Sequence, residues 1–542
     1  MKSMKKWFAL LLAMAMVLGM SIVASAAPAL PKDTDSKTVD ITNVEAGATY
    51  TAYQIIDATY APNDGGFTGY VWAKGMANAG QKVTFTGAGD EAVVQGLTSA
   101  MITELAKNPA GLESVAFTPN ETKLTAGTWM ILVTPPENNP TKVYNPMVVS
   151  VYYTVEGSGT SNELTAGSVD ANKNWTLETT DAFAKSSEIK LTKDLDNPAT
   201  DTKVKVGDEV PFTITSTMPS YDKTYYENPV FTISDTIVNG LKYTGEPVVK
   251  VGGTTLTKDV EYELTYDENA SFTVAFTADY IHGLAGKDTT ARAVEITYAA
   301  EVTDAAVVKV GENEAKLEFS TEPGETDDKT DKEYVFSFAI HGIFDKVDEK
   351  DEALQDAVFS LYLADAAGTE TIVWDPNDET ANVKANKVGE YTTEEDGEIK
   401  FKGLDGDTDK VYYLKETAAP DKYSINDTVY RITFEFDKPE NYAGEDITYK
   451  VHVTDNVTNK TKDYTVTYGE TGTVIDVATG ALDDYGNEAV EEAIKIQNTR
   501  LSALPSTGGI GTTIFTVAGC LIMVVAAGLF FASRRKSAKV SK

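Results

Sequence analysis

Along most of the chain apolar and polar residues alternate at period two. Val83-Thr84-Phe85-Thr86, Phe272-Thr273-Val274-Ala275-Phe276 and Tyr430-Arg431-Ile432-Thr433-Phe434-Glu435-Phe436 show it, as does Tyr449-Lys450-Val451-His452-Val453. Successive side chains of a strand point to opposite faces, so this pattern predicts strands with one buried and one wet face. Gly, Asn, Asp and Pro punctuate the runs at short spacing, as turns require. The fold class expected is all-β, with tandem immunoglobulin-like β-sandwich domains. Helical periodicity is brief, over Glu91–Leu105 and Ala489–Ala493. Two composition shifts suggest boundaries: the small, polar Thr179–Ser187 and the acidic segment STEPGETDDKTDK at Ser320–Lys332. They predict domains over 27–184, 185–332 and 333–503.

The two ends read as processing segments. Lys2, Lys5 and Lys6 precede an apolar stretch from Trp7 to about Val23, and Ala24-Ser25-Ala26 follows. Residues 1–26 therefore read as a secretory signal peptide, with a retained anchor as the alternative. At the other end Ile514–Ala532 carries no charge and is just long enough to span a bilayer as a helix. Arg534, Arg535, Lys536, Lys539 and Lys542 follow it and belong on the cytoplasmic side. Leu504-Pro505-Ser506-Thr507-Gly508 stands shortly before the span. Pentapeptide, span and basic tail, in that order over 504–542, resemble the sorting signal of Gram-positive surface proteins. The resemblance implies that a sortase cuts between Thr507 and Gly508 and joins Thr507 to an amine. The membrane would then hold only the precursor.

Composition removes several function classes. The chain has 542 residues, with 47 Lys and Arg against 82 Asp and Glu. Without the end segments the balance falls to 39 against 82, a net −43. Such a surface stays soluble and does not suit nucleic acid, whose phosphates need a basic face. The single cysteine, Cys520, excludes a disulfide scaffold and cysteine metal sites. The three histidines are far apart in sequence, so no metal and no cofactor is expected.

One chemical pattern occurs twice. In Ile189-Lys190-Leu191-Thr192-Lys193, Lys193 shares a face with Ile189 and Leu191. Asp235 shares a face with Phe231 and Ile233, and Asn313 with Ala315, Leu317 and Phe319. Further on, Lys346 lies with Phe344, Glu416 with Tyr412 and Leu414, and Asn498 with Ile494 and Ile496. Strand parity points all six side chains inward. Burial favours the neutral forms of amine and acid. A neutral amine is a nucleophile, and a protonated acid can polarise an Asn side-chain carbonyl. Lys193/Asp235/Asn313 and Lys346/Glu416/Asn498 are therefore candidate self-made Lys–Asn amide crosslinks. The competing reading of each is a buried ion pair or a strand-end charge.

Tyr412-x-Leu414-x-Glu416-Thr417-x-Ala419-Pro420-x-x-Tyr423 resembles the E-box of Gram-positive pilins and collagen-adhesin B-type repeats. Lys422 stands where the family commonly has Gly. Residues 185–320, with Ser234-Asp235-Thr236 and Gly240-Leu241, are similar to the fimbrial isopeptide-forming domain. The first domain, with Ala52-Tyr53-Gln54-Ile55, resembles that of the same backbone pilins. The resemblance implies that Asp235 and Glu416 catalyse isopeptide formation. It also implies an acceptor lysine at the end of the first domain. Trp175 and the run Asp181-Ala182-Phe183-Ala184-Lys185 point to Lys185, although the usual Tyr-Pro-Lys ending is absent. Lys173 and Lys190 are the alternatives. Asp405, Asp407, Asp409 and Glu416 also occupy positions 1, 3, 5 and 12 of a calcium-loop pattern. Position 6 of that pattern is Lys410, where Gly is usual.

The function expected is therefore a structural backbone subunit of a covalent surface pilus on a Gram-positive cell wall, not an enzyme with turnover. The implied partners are a class C sortase, a housekeeping sortase, other pilin subunits and peptidoglycan. A non-polymerising wall-anchored adhesin or minor pilin is the alternative. A surface enzyme has only loosely paired carboxylates in its favour.

Overall fold

The computed structural model describes residues 30–537, apart from 63–65, 87–92, 119, 156–158, 161–173, 181, 197–202, 238–239, 306–308, 437–445, 470–473, 480–492 and 502–509. The described chain is built mainly of antiparallel β-sheets and divides after Ser337 into two compact units.

The first unit opens with a seven-stranded sheet. Its central strands run Met147–Val155, Gly127–Thr134, Thr49–Tyr60 and Phe67–Trp72, in that spatial order. The helix Ser99–Lys107 begins later than the periodicity predicts. Gly96 turns at a positive φ of 89°, and the Thr98 side chain then caps the helix by accepting from Met101 N–H at 3.2 Å. The second helical expectation falls almost wholly on 489–492, outside the described residues.

The same unit continues into two further sheets. One runs Leu191–Leu195, Glu209–Thr217, Ala293–Val302, Val248–Val251. The other runs Tyr262–Asp267, Ser271–Phe276, Phe231–Ile237, Lys309–Glu322, Glu325–Phe336. Their buried faces share Phe212, Ile214, Ile233, Phe272, Ile296 and Leu317, all essentially inaccessible to water. Each such side chain contributes about 1.5–3 kcal/mol by burial.

One expectation is corrected here. The acidic segment Ser320–Lys332 is not an aperiodic linker. Most of it belongs to two paired strands, Lys309–Glu322 and Glu325–Phe336, which turn back at Gly324. Glu325–Lys332 is polar or charged on both faces and lies at the edge of its sheet, so no apolar alternation marks it. Asn313 is therefore not on the last strand of its sheet but on the one before it.

The second unit carries an eight-stranded sheet in which Val358–Ala364, Tyr412–Ala418, Val429–Glu435 and Ile447–Asp455 are neighbours. Beside it, Phe344–Val347 pairs in parallel with Ile494–Gln497 although about 150 residues separate them. A helix over Ile510–Ser537 contains the apolar stretch Phe515–Ser533, long enough to cross a membrane, with mean hydropathy 2.4.

Candidate functional sites: two buried lysine clusters

Each cluster forms where strand parity turns a polar side chain into an apolar core. In the first unit Asp235 pairs across the ladder with Ala315, while Ile237 pairs with Asn313. Asp235 and Asn313 are thus diagonal neighbours on one face of adjacent strands. Lys193 reaches them from the other sheet, and its own backbone N–H donates to Asp331 Oδ2 at 2.8 Å. Lys193, Asp235 and Asn313 are 2%, 0% and 1% exposed.

The Lys193 ammonium donates to Asp235 Oδ2 and to the Tyr298 hydroxyl. Tyr243 donates its hydroxyl to Asp235 Oδ1 at 2.7 Å. Asn313 Nδ2 donates to the Tyr298 hydroxyl at 3.0 Å, while Asn313 Oδ1 is buried without a hydrogen-bond partner. The amine lies 5.1 Å from the ring centres of both Phe212 and Tyr298. Burial pushes the Lys193 amine below the ordinary lysine range, against the pull of Asp235. It also pushes the Asp235 carboxyl up, against the pull of Lys193. Both shifts favour the neutral amine and neutral acid.

In the second unit the parallel ladder sets Lys346 opposite Ile496 and brings Asn498 just beyond Val347. Asn498 N–H donates to the Val347 carbonyl at 3.0 Å. Lys346 Nζ donates to Glu416 Oε2 at 3.1 Å and to Asn498 Oδ1. Asn498 Nδ2 donates to Glu416 Oε1 at 2.7 Å, and Asn426 N–H to Glu416 Oε2 at 3.0 Å. The three side chains are 0%, 5% and 1% exposed. Burial lowers the Lys346 pKa, with Glu416 acting against it.

The structure thus brings both predicted triads together, with contact between amine and carboxamide in the second and a tyrosine between them in the first. Two opposite charges in such cores are costly unless every hydrogen bond is made. What the arrangement offers is an amine, an acid and a carboxamide held in near contact, the geometry that accelerates amide exchange. Tyr243, Tyr298 and Asn426 were not anticipated. Tyr298 sits on the buried parity of Ala293–Val302, but an inward tyrosine in a strand reads as core. The Asn426 contact is made by backbone, which carries no residue signature.

The calcium reading does not fit the placement of Glu416, which is taken up by Lys346 and Asn498. The Lys410 ammonium stands 3.7 Å from both Asp405 and Asp409, where a cation would be repelled. Among the described residues no group of three or more His, Cys, Asp or Glu is set to hold a metal.

Lys185 is exposed beside a cleft of about 80 Å³ that Ile102, Asn145 and Asp222 also line. Its carbonyl accepts from Asn145 N–H at 2.9 Å. Partial desolvation lowers its pKa, against the pull of Asp222. Lys190 is exposed and pairs with Glu188 at 3.1 Å, and Lys173 lies outside the described residues. Leu504, Pro505, Ser506, Thr507 and Gly508 also lie outside them. In the first unit Lys37 pairs with Glu178 at 2.7 Å, and Asn145 turns its side chain to Ser220 and Asp222. These residues form no third cluster of the same kind.

Three segments match known domain types. Residues 34–186 match a T6 antigen Ig-like domain, 341–467 a prealbumin-like fold domain and 496–539 an LPXTG cell wall anchor motif. The chain is 26% identical to the trypsin-resistant surface T6 protein of Streptococcus pyogenes serotype M6, over 96% of this chain and 98% of that one. It is 27% identical to the fimbrial subunit type 2 of Actinomyces naeslundii, over 55% of this chain and 59% of that one. The solved T6 backbone pilin of serotype M6 S. pyogenes has the same fold, with a TM-score of 0.53 and 19% identity over 87% of this chain and all of that one.

Proposed function

We infer that this chain is a sortase-assembled major pilin of a Gram-positive bacterium, a structural subunit anchored at the cell wall and not an enzyme. In this reading three β domains, 27–184, 185–332 and 333–503, follow a signal peptide and precede the sorting signal. A class C sortase cuts after Thr507 and joins it to Lys185 of another subunit. A housekeeping sortase transfers the finished polymer to peptidoglycan. The membrane helix Ile510–Ser537 retains the precursor until cleavage.

The observation that carries the reading is the pair of buried amine, acid and carboxamide clusters. In the second unit the neutral Lys346 amine attacks Asn498 Cγ. Glu416 Oε2 receives the amine proton as Oε1 gives a proton to Nδ2, which leaves as ammonia. One N–C bond forms, one C–N bond breaks, and one ammonia is lost. The same exchange at Lys193 and Asn313 crosslinks the first unit, with Asp235 as the acid. Each bond forms once per chain.

The test is the intact mass of the secreted chain beside Asp235→Ala and Glu416→Ala. The parent is expected to lack two ammonias and each variant one. An unchanged parent mass overturns the crosslinks and leaves the non-polymerising adhesin equally placed.

A further inference from the structure

We infer that the Tyr298 hydroxyl is a catalytic residue of the Lys193–Asn313 crosslink, relaying the proton between the attacking amine and the departing amide nitrogen. This rests on the isopeptide reading above and adds a group to it.

The two clusters differ in the reach of their acid. In the second unit one Glu416 carboxyl touches both reacting nitrogens, Lys346 Nζ at 3.1 Å and Asn498 Nδ2 at 2.7 Å. It can therefore take a proton from one and give a proton to the other. In the first unit the acid is Asp235, one methylene shorter. It meets Lys193, but the Asn313 amide donates to Tyr298 instead. Among the described residues the Tyr298 oxygen is the one atom that receives hydrogen bonds from both Lys193 Nζ and Asn313 Nδ2. The same Lys193 ammonium bridges the Tyr298 hydroxyl and the Asp235 carboxyl.

The step balances without any outside reactant. The Lys193 amine attacks Asn313 Cγ and gives up one proton to Asp235. Asp235 passes a proton to the Tyr298 oxygen as the Tyr298 O–H proton moves to Asn313 Nδ2. The C–N bond breaks and ammonia leaves. Tyr298 ends as it began, and the net change is one proton carried from Nζ to Nδ2. The ring is fixed for this task. It stacks on Phe212 at 5.4 Å and 14°, and meets Phe272 edge-on at 5.1 Å.

The experiment is a time course of crosslinking in the full chain, made by cell-free translation in detergent, quenched in acid and mapped by peptide mass. Tyr298→Phe keeps the ring and removes the hydroxyl. The 193–313 bond is expected to form roughly a hundredfold more slowly, since positioned proton transfer contributes about 10²–10⁴-fold. The 346–498 bond in the same chains serves as the clock and is expected to keep its rate. Adding the missing methylene should compensate, so Asp235→Glu combined with Tyr298→Phe is expected to recover most of the rate. A merely structural role for Tyr298 predicts no such rescue. If Tyr298→Phe does not fold, fluorinated tyrosine at 298 keeps the ring and hydroxyl and changes only acidity. A shifted rate then supports the relay and an unchanged rate overturns it. Crosslinking of Tyr298→Phe at the parent rate also overturns it. Absence of both bonds in the parent would instead remove the isopeptide reading itself.

Discussion

At the scale of single residues, chemistry is decided by what surrounds a side chain. Lys190 and Lys193 are three positions apart, yet one is solvated beside Glu188 and the other is enclosed by Phe212, Tyr298 and Asp235. Burial drives the enclosed Lys193 toward the neutral amine. Lys422 shows another residue-scale effect. It occupies a left-handed backbone position, φ 72°, and its carbonyl accepts from Leu501 N–H at 2.7 Å. A side chain with a Cβ is strained there, whereas glycine is not. Lys422→Gly is expected to keep the fold and raise the stability of the second unit by up to about 1 kcal/mol, read from its urea midpoint. A loss of stability would show that the unfolded-chain entropy of glycine outweighs the relief of strain.

At the scale of elements, paired strands carry both lysine clusters and the charges around them. The Glu398 carboxyl lies between strands and gathers His341 at 3.0 Å, the Gly342 N–H at 2.7 Å and Lys400 at 3.1 Å. Burial pushes its pKa up, but these partners outweigh it and hold the group at about 2. A carboxyl with a depressed native pKa binds fewer protons folded than unfolded. Its stabilisation is full above the unfolded value near 4.5 and is lost as pH falls toward 2. Glu398→Gln is therefore expected to flatten the acid limb of stability between about pH 4.5 and 2 and to lower stability at neutral pH. Thermal unfolding at several pH values measures both. An unchanged acid limb would place the dependence elsewhere.

Each proposed crosslink would also close a loop on the order of 100 residues, which by chain entropy is worth about 4–5 kcal/mol. Asn313→Ala and Asn498→Ala are each expected to lower the stability of their own unit by that order and to leave the other unit unchanged. Denaturant unfolding followed in each unit separately checks this, and equal loss in both units would contradict it.

At the scale of the whole molecule, a polymer bonded through Lys185 and Thr507 carries load along the chain. Bonds at 193–313 and 346–498 would let that load pass across each unit without unravelling the strands between. Lys185→Arg keeps the charge but removes the primary amine that an acyl-sortase needs. With purified polymerising sortase it is expected to remain monomeric while still lacking two ammonias. Polymer formation by this variant would move the acceptor to another lysine, with Lys190 and Lys173 the first to examine.

Much of this was legible beforehand, and the reason is geometric. Strand periodicity is local, so alternation exposed the all-β fold and the inward parity of Lys193, Asp235, Asn313, Lys346, Glu416 and Asn498. The end segments are linear signals, read in order along the chain. By itself the sequence could therefore determine the fold class, the anchor and which side chains face inward. It could not determine which inward side chains meet, because that depends on ladder registers between strands far apart in the chain. The parallel pairing of Phe344–Val347 with Ile494–Gln497 is one such register. The polar hairpin that replaces the expected linker at Ser320–Lys332 is another, since its returning strand has no apolar face up to Lys332 and is held there by pairing with Lys309–Glu322. Tyr298 is the clearest case. Its parity marks it as core, and only the packing of two sheets brings its hydroxyl to the Lys193 amine and the Asn313 amide.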